Sequence, residues 1–118
     1  MKKAKIDFGN FIINVDNTIK EAMVAISDNK QGSVIVVTGA NHLVGVVSDG
    51  DIRRSLVAGR VVESRVEEIV NINPISLQYD NCDQKQAAKI FLDNVTINLI
   101  PVVDKQSEVV EIIIRDQL

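Results

Sequence analysis

Apolar residues recur along the chain in two patterns, one typical of strands and one typical of helices. Residues 33–38 and 43–47 are runs rich in β-branched residues, and both are predicted as strands. Residues 12–15 are predicted as a shorter strand. Between the short strand and residue 33, apolar residues follow helical spacing at Ile19, Ala22, Met23 and Ile26. These segments predict the order β-α-β-β.

Two helix starts carry a capping signature, in which Ser or Thr is followed three residues later by an acidic residue. Thr18 with Glu21 begins the first helix. Ser48 with Asp51 begins a second helix, which Gly59 is placed to end. The first half of the chain therefore reads β-α-β-β-α.

The turn at Ser48 has two interpretations. In the first, Ser48 and Asp51 only cap the helix, and this interpretation is favoured by how common such caps are. In the second, the helix N-terminus offers N–H groups and partial positive charge to an anion. The Ser48 hydroxyl then donates to a phosphate and the Asp51 carboxylate accepts from a ribose diol. Gly45 interrupts the preceding strand, which indicates a bulge or the close approach of another group.

The pattern starts again after a connector. Residues 60–74 are predicted as this connector, with a helical turn at 66–69, and residues 1–11 as a lead-in segment. Residues 12–59 form the first repeat, and residues 75–118 form a second repeat that lacks the last helix. The matching segments are 22–29 with 87–94, 33–38 with 99–104, and 43–48 with 109–114.

The fold class predicted from this duplication is α+β, with two β-α-β-β(-α) repeats related by pseudo-twofold symmetry. Each repeat is too small to bury its apolar face alone, so the two sheets are expected to pack around one core. Pro101 within a strand predicts an edge position or a place where the backbone N–H is not needed.

Composition and charge narrow the function classes. Aromatic residues make up 3% of the 118 residues, the net charge is −3, and no basic stripe is present, so a nucleic-acid partner is disfavoured. Cys82 is the single cysteine, which fits a cytoplasmic protein, and no apolar run approaches transmembrane length, so no membrane partner is expected. His42 is the single histidine and has no metal-ligand companions, which disfavours an enzyme.

Several of these features together resemble a known family. The Gly45-x-x-Ser48-x-x-Asp51 turn, the duplicated β-α-β-β pattern and the string at residues 99–104 resemble a tandem pair of cystathionine β-synthase (CBS) domains, over about residues 12–118. The string at residues 48–56 is similar to CBS pairs attached to sugar-phosphate enzymes. These are mainly nucleotidyltransferases, where the pair is N-terminal, while some isomerases carry it at the C-terminal end. Met1 close to the first repeat favours the N-terminal arrangement, and the stop at Leu118 indicates a domain excised from a longer enzyme.

The resemblance implies a regulatory module rather than an enzyme. Such a pair binds an adenosine ligand (AMP, ADP, ATP or sometimes S-adenosylmethionine) between the repeats, controls an attached catalytic domain, and commonly forms a homodimer; no cofactor is expected. The alternatives are an oligomerisation or interaction module with no functional ligand site, and the regulatory pair of a sugar-phosphate isomerase.

The resemblance also assigns site residues. Ser48 contacts phosphate, Asp51 contacts ribose, and Gly45 leaves room for the ligand. The base lies along the backbone near Ser33 and Val34 and near Asn14. Arg53 is a further candidate for phosphate contact, although an arginine on a short surface helix is more often solvated, and the same holds for Arg54.

The second repeat departs from this motif. Glu111, Ile114 and Gln117 stand where the first repeat has Gly45, Ser48 and Asp51. Ile114 has no group to donate to a phosphate, so the second site is not expected to bind a nucleotide, and each chain is left with one good site.

Overall fold

The computed structural model describes residues 8–118, so the first seven residues of the predicted lead-in lie outside the described residues. The elements of the first repeat are β1 (Ile12–Asn14), α1 (Ile19–Asn29), β2 (Ser33–Thr38), β3 (His42–Ser48) and α2 (Asp49–Val57). Those of the second repeat are β4 (Leu77–Gln78), α3 (Gln84–Asp93), β5 (Leu99–Val103) and β6 (Val109–Ile114). The prediction of an α+β chain with two β-α-β-β repeats is confirmed.

The two sheets have the same topology. In each sheet the first strand pairs parallel with the middle strand, and the middle strand pairs antiparallel with the third. The register shifts once in each sheet, between Val36 and Val37 in β2 and between Val102 and Val103 in β5. Because these two shifts occupy matching positions, the duplication read from the sequence extends to an irregularity of the backbone.

Capping boxes begin α1 and α3. In α1 the Glu21 N–H donates to Thr18 Oγ1 over 3.1 Å, and the Thr18 N–H donates to Glu21 Oε1 over 3.0 Å. The Thr18 backbone N–H, and after it the Thr18 hydroxyl, hold the pKa of the Glu21 carboxyl below its ordinary value. This stabilisation is therefore present above the ordinary pKa and is lost as the pH falls through the lowered one. Asp83 and Gln86 form the same arrangement in α3.

Side chains of β2 alternate between two cores. Val34 and Val36 are fully buried with apolar residues of α1 and α2, while Ile35 and Val37 point to the other face of the sheet. On that face lies a cluster that both repeats supply, formed by Ile35, Val37, Val103 and Val109. The expectation that the two sheets pack around a shared core is therefore confirmed.

Backbone hydrogen bonds join the repeats beside this cluster. The Leu43 N–H donates to the Ser107 carbonyl over 2.9 Å, and the Val109 N–H donates to the Asn41 carbonyl over 2.8 Å. The loop before β3 is thereby paired with the loop before β6, so the two repeats are held in one register as well as in contact.

β5 is the central strand of its sheet, which excludes the edge position for Pro101 and leaves the other predicted alternative, a place where the backbone N–H is not needed. Its partner β4 pairs only with Val102 and Val103. Pro101 therefore precedes the paired part of the ladder on that side, which is where a proline is tolerated.

The connector between the repeats packs tightly on the first repeat. Val66 is fully buried in the core of that repeat. Farther along, Asn71 and Val46 exchange backbone hydrogen bonds of 3.0 and 3.1 Å, so the connector adds to the edge of β3. A Cβ on Gly45 would overlap the Asn71 carbonyl oxygen and lie 2.7 Å from Val70 Cγ2. The predicted close approach of another group at Gly45 is confirmed, and the group that occupies this space is the connector backbone rather than a ligand.

A short 3-10 turn, Arg115–Gln117, stands where the first repeat has α2. The Arg115 guanidinium donates to the carbonyls of Asn94 (2.8 Å) and Ile97 (3.0 Å) and lies 4.7 Å from the centre of the Phe91 ring. These contacts tie the end of the second repeat to the loop between α3 and β5.

Residues 8–118 contain neither a membrane-spanning helix nor a cluster of metal-ligating side chains. None of the helices there is long and apolar enough to cross a bilayer. Within the same range, no group of three or more His, Cys, Asp or Glu side chains is placed to hold a metal ion.

The close packing at Gly45 predicts the effect of adding one methyl group. Gly45→Ala is expected to lower the free energy of unfolding by about 1–3 kcal/mol, because the backbone at Asn71 has to move. Urea denaturation measures the loss. Gly50→Ala is the control, since a Cβ there meets only the flexible guanidinium of Arg54, at 3.1 Å or more. Equal stability of Gly45→Ala and the wild type would contradict this account.

Candidate functional site

A cleft of about 640 Å³ lies between the repeats at the end of the sheet where β3 leads into α2. Residues of both repeats and of the connector line it. The first repeat contributes Ser33, Val46, Ser48, Asp49, Asp51 and Arg54, the connector Asn71, Asn73 and Pro74, and the second repeat Ile75, Thr96, Ile97 and Leu99. Because the walls come from three parts of the chain, the cleft exists only when the two repeats are docked.

The N-terminus of α2 places the side chains of Ser48 and Asp51 on the wall of this cleft. Ser48 Oγ accepts from the Asp51 N–H over 3.1 Å, and Asp51 Oδ2 accepts from the Ser48 N–H over 2.9 Å. The capping interpretation of this motif is thus confirmed. Both side chains also line the cleft, so the cap places a hydroxyl and a carboxylate side by side on its wall. The Asp49 N–H donates to the Gly32 carbonyl over 2.9 Å, which fixes the helix against the start of β2.

Arg54 lies one helical turn after Asp51 and completes the polar wall. Its Nη2 is 2.8 Å from Asp51 Oδ1. Its guanidinium also lies over the first turn of α2, because Gly50 has no side chain there. Among the described lining residues, Arg54 is the one cation, and Asp49 and Asp51 are the acidic residues.

The structure brings three of the predicted site residues together, Ser33, Ser48 and Asp51. The Val34 side chain is fully buried in the core, so β2 reaches the cleft through the residues just before it. Asn14 lies outside the cleft, where its side-chain oxygen accepts from the Asp16 N–H over 3.1 Å and shapes the turn before α1. The structure thus does not bring Asn14 together with Ser33, Ser48 and Asp51, and its contact with a ligand stays a prediction.

Arg53 is also outside the cleft. It lines a separate groove between α1 and α2, together with Met23 and Lys30. Neighbouring helix residues point about 100° apart, which is why Arg54 reaches the cleft and Arg53 does not. The signal was present in the sequence, because Arg54 is three residues from Asp51 and shares its face. Two other lining residues, Asn71 of the connector and Ile75 of the second repeat, carried no such signal.

The matching position of the second repeat lacks these groups. Ile114 pairs with Leu99 as Ser48 pairs with Ser33, and Glu111 pairs with Val102 opposite the bulge. Ile114 and Gln117 line a cavity of about 290 Å³ to which, among the described residues, the first repeat contributes nothing. The pseudo-symmetry of the fold therefore does not extend to the chemistry of the two positions.

Comparisons with known proteins give the class of this architecture. Residues 9–58 match the family model of the CBS domain. The whole fold is similar to Staphylococcus aureus OpuCA, at 21% identity over 90% of this chain and 85% of that chain, with a TM-score of 0.72. It is also similar to CBSX2 in complex with AMP, at 21% identity over 89% of this chain and 81% of that chain, with a TM-score of 0.71. The chain thus has the fold of a CBS domain pair, and its first repeat is matched to the CBS family directly.

Longer relatives contain a segment similar to this chain. An uncharacterized protein of Helicobacter pylori strain J99 is 34% identical over 91% of this chain and 32% of its own length. Arabinose 5-phosphate isomerase GutQ of Escherichia coli K12 is 32% identical over 77% of this chain and 28% of its own length. The chain therefore spans about a third of the length of the curated relatives it matches.

The cap at Ser48 predicts that protein stability depends on a hydrogen-bond acceptor at this position. Ser48→Ala removes the acceptor for the Asp51 N–H and is expected to lower the free energy of unfolding by about 1 kcal/mol. Ser48→Asp keeps an acceptor and is expected to stay close to wild type. Chemical denaturation of the three proteins measures the difference, and a loss of the same size in both variants would contradict a capping role.

Proposed function

We propose that this chain is a regulatory module that binds an adenosine nucleotide (AMP, ADP or ATP) between its repeats and controls an attached catalytic domain. One observation carries the proposal. The Ser48 hydroxyl and the Asp51 carboxylate lie together at a helix N-terminus on the wall of a 640 Å³ cleft. That volume is in the range of small-molecule sites.

The cleft offers a partner for each part of a nucleotide. The first turn of α2 presents the positive end of the helix dipole and the Ser48 hydroxyl to a phosphate. Asp51 supplies the carboxylate that accepts from a ribose diol. Val46, Ile75 and Ile97 provide apolar surface for the base, and backbone groups beside Ser33 provide polar contacts. A hydroxyl donor next to a carboxylate suits a ligand that carries both a phosphate and a diol.

Proteins of this fold support the ligand class. CBSX2 has been crystallised in complex with AMP, and the cytosolic domain of the Mg²⁺ channel MgtE in complex with ATP. MgtE is similar to this chain at 23% identity over 89% of this chain and 42% of its own, with a TM-score of 0.69. These similarities concern the fold, so the step to this chain rests on its own cleft.

The attached domain is proposed to act on a sugar phosphate. The relatives named arabinose 5-phosphate isomerase GutQ favour the isomerase alternative. The string at residues 48–56 favours the nucleotidyltransferase, so these two observations point to different attached enzymes. A homodimer and a cytoplasmic location stay predictions.

Ligand-dependent stability tests the proposal. At a hundredfold excess over its dissociation constant, an adenine nucleotide is expected to stabilise the chain by about 2.7 kcal/mol, seen as a raised melting temperature. Asp51→Ala is expected to abolish this shift while the protein stays folded. The measurement is thermal unfolding with AMP, ADP, ATP and cytidine nucleotides.

Glu21→Ala is the matched control. Glu21 and Asp51 each accept from the backbone N–H of a helix N-cap, so both variants lose the same kind of contact. Glu21 lies outside the cleft, and its variant is expected to keep the full nucleotide shift. If no adenine nucleotide moves the melting temperature of the wild type, the oligomerisation module without a ligand site is the better explanation.

A further inference from the structure

Both oxygens of the Asp51 carboxylate are engaged in the structure. Oδ2 accepts from the Ser48 N–H over 2.9 Å, and Oδ1 accepts from Arg54 Nη2 over 2.8 Å. A ribose diol therefore has to displace one of these donors or share an oxygen with it. The two donors are not equally easy to displace, and this difference decides what Arg54 does.

The bond to Arg54 is the weaker of the two. The Arg54 side chain is 73% exposed and the Asp51 side chain 27% exposed, and ion pairs so open to water contribute little. The bond to the Ser48 N–H is part of a helix cap and its donor belongs to the backbone. Oδ1 is thus the oxygen that becomes available, and Arg54 is the group that moves.

Arg54 already lies where a phosphate is expected. An ideal Cβ on Gly50 would be 3.1 Å from Arg54 Nη1 and 3.4 Å from Nη2, so the guanidinium folds back over the first turn of α2. The positive end of the α2 dipole lies at the same turn. A guanidinium that leaves Asp51 needs only a short rotation to face an anion bound there, and it offers the paired donors that phosphate oxygens accept.

We propose that Arg54 is the phosphate-recognising residue of the cleft, and that it exchanges Asp51 for the phosphate when a nucleoside monophosphate binds. This inference rests on the proposed function. Asp51 is then free to accept from the ribose, so recognition of the sugar and recognition of the phosphate become one coupled event. A nucleoside without phosphate frees Asp51 but gives Arg54 no new partner.

The charges of the cleft also limit the number of phosphates. Among the described lining residues Arg54 is the one cation, and Asp49 and Asp51 are both acidic. A single phosphate is matched by the guanidinium and the helix N-terminus. Second and third phosphates find no further cation among these residues and add repulsion with Asp49. The cleft is therefore expected to bind AMP more tightly than adenosine and more tightly than ATP.

Isothermal titration of adenosine, AMP and ATP into the full chain tests this assignment. The wild type is expected to bind AMP about ten- to hundredfold more tightly than adenosine, the effect of one charge-assisted contact. Arg54→Gln is expected to lose most of this preference by weakening AMP, while its affinity for adenosine is equal to wild type or higher, because Asp51 Oδ1 is released. Arg53→Gln is the control, since Arg53 lines the groove between α1 and α2, and it is expected to keep the wild-type ratio.

The outcomes distinguish failure of the role assigned to Arg54 from failure of the proposed function. If adenosine, AMP and ATP all fail to bind the wild type, the proposed function fails. If AMP binds and Arg54→Gln keeps the wild-type ratio of AMP to adenosine, the role of Arg54 is overturned and the proposed function stands. Equal weakening of AMP and adenosine in Arg54→Gln, as a merely structural role would give, also overturns it, as does wild-type affinity for ATP equal to or above that for AMP.

Discussion

The fold depends on the apolar contact between the two sheets. β2 is buried on both faces, with Val34 and Val36 against the helices of its own repeat and with Ile35 and Val37 against the second repeat. A three-stranded sheet with one face open to water would leave this second set of side chains exposed. The second repeat closes that face with Val103 and Val109. Docking of the repeats is therefore a requirement of the first sheet, and the cleft is a consequence of that docking.

The turn at Ser48 combines a structural and a chemical property in the same atoms. A helix cap needs a side-chain oxygen at its first position and an acceptor three residues later. Those needs place a hydroxyl and a carboxylate at the positive end of a helix dipole, which is also a combination that a phosphorylated sugar would contact. The boxes that begin α1 and α3 have the same hydrogen bonds. The box at α2 differs because it opens onto a cleft with residues of the other repeat on its far side.

Sequence reasoning succeeded where the signal is local. The strands and helices, the caps at Thr18 and Ser48 and the duplication all follow from periodicity and from spacings of a few residues, as the match of β2 with β5 shows. It failed where the cause lies in the path of the connector. Nothing in the strand around Gly45 says that Asn71 will pack on it, so the glycine was assigned to a ligand. It also named Arg53 and Arg54 together as candidates, although helical geometry places these adjacent positions on different faces of α2.

Arg115 connects the end of the second repeat to the wall of the cleft. Its backbone N–H and its guanidinium hold the carbonyls of Asn98 and Ile97, and Ile97 forms part of the wall of the cleft. Ile97 thus belongs to the wall of the cleft and also accepts a hydrogen bond from Arg115, the residue that follows β6. The residue that follows β6 is therefore hydrogen-bonded directly to the wall of the cleft, even though the second repeat lacks the motif formed by Ser48 and Asp51.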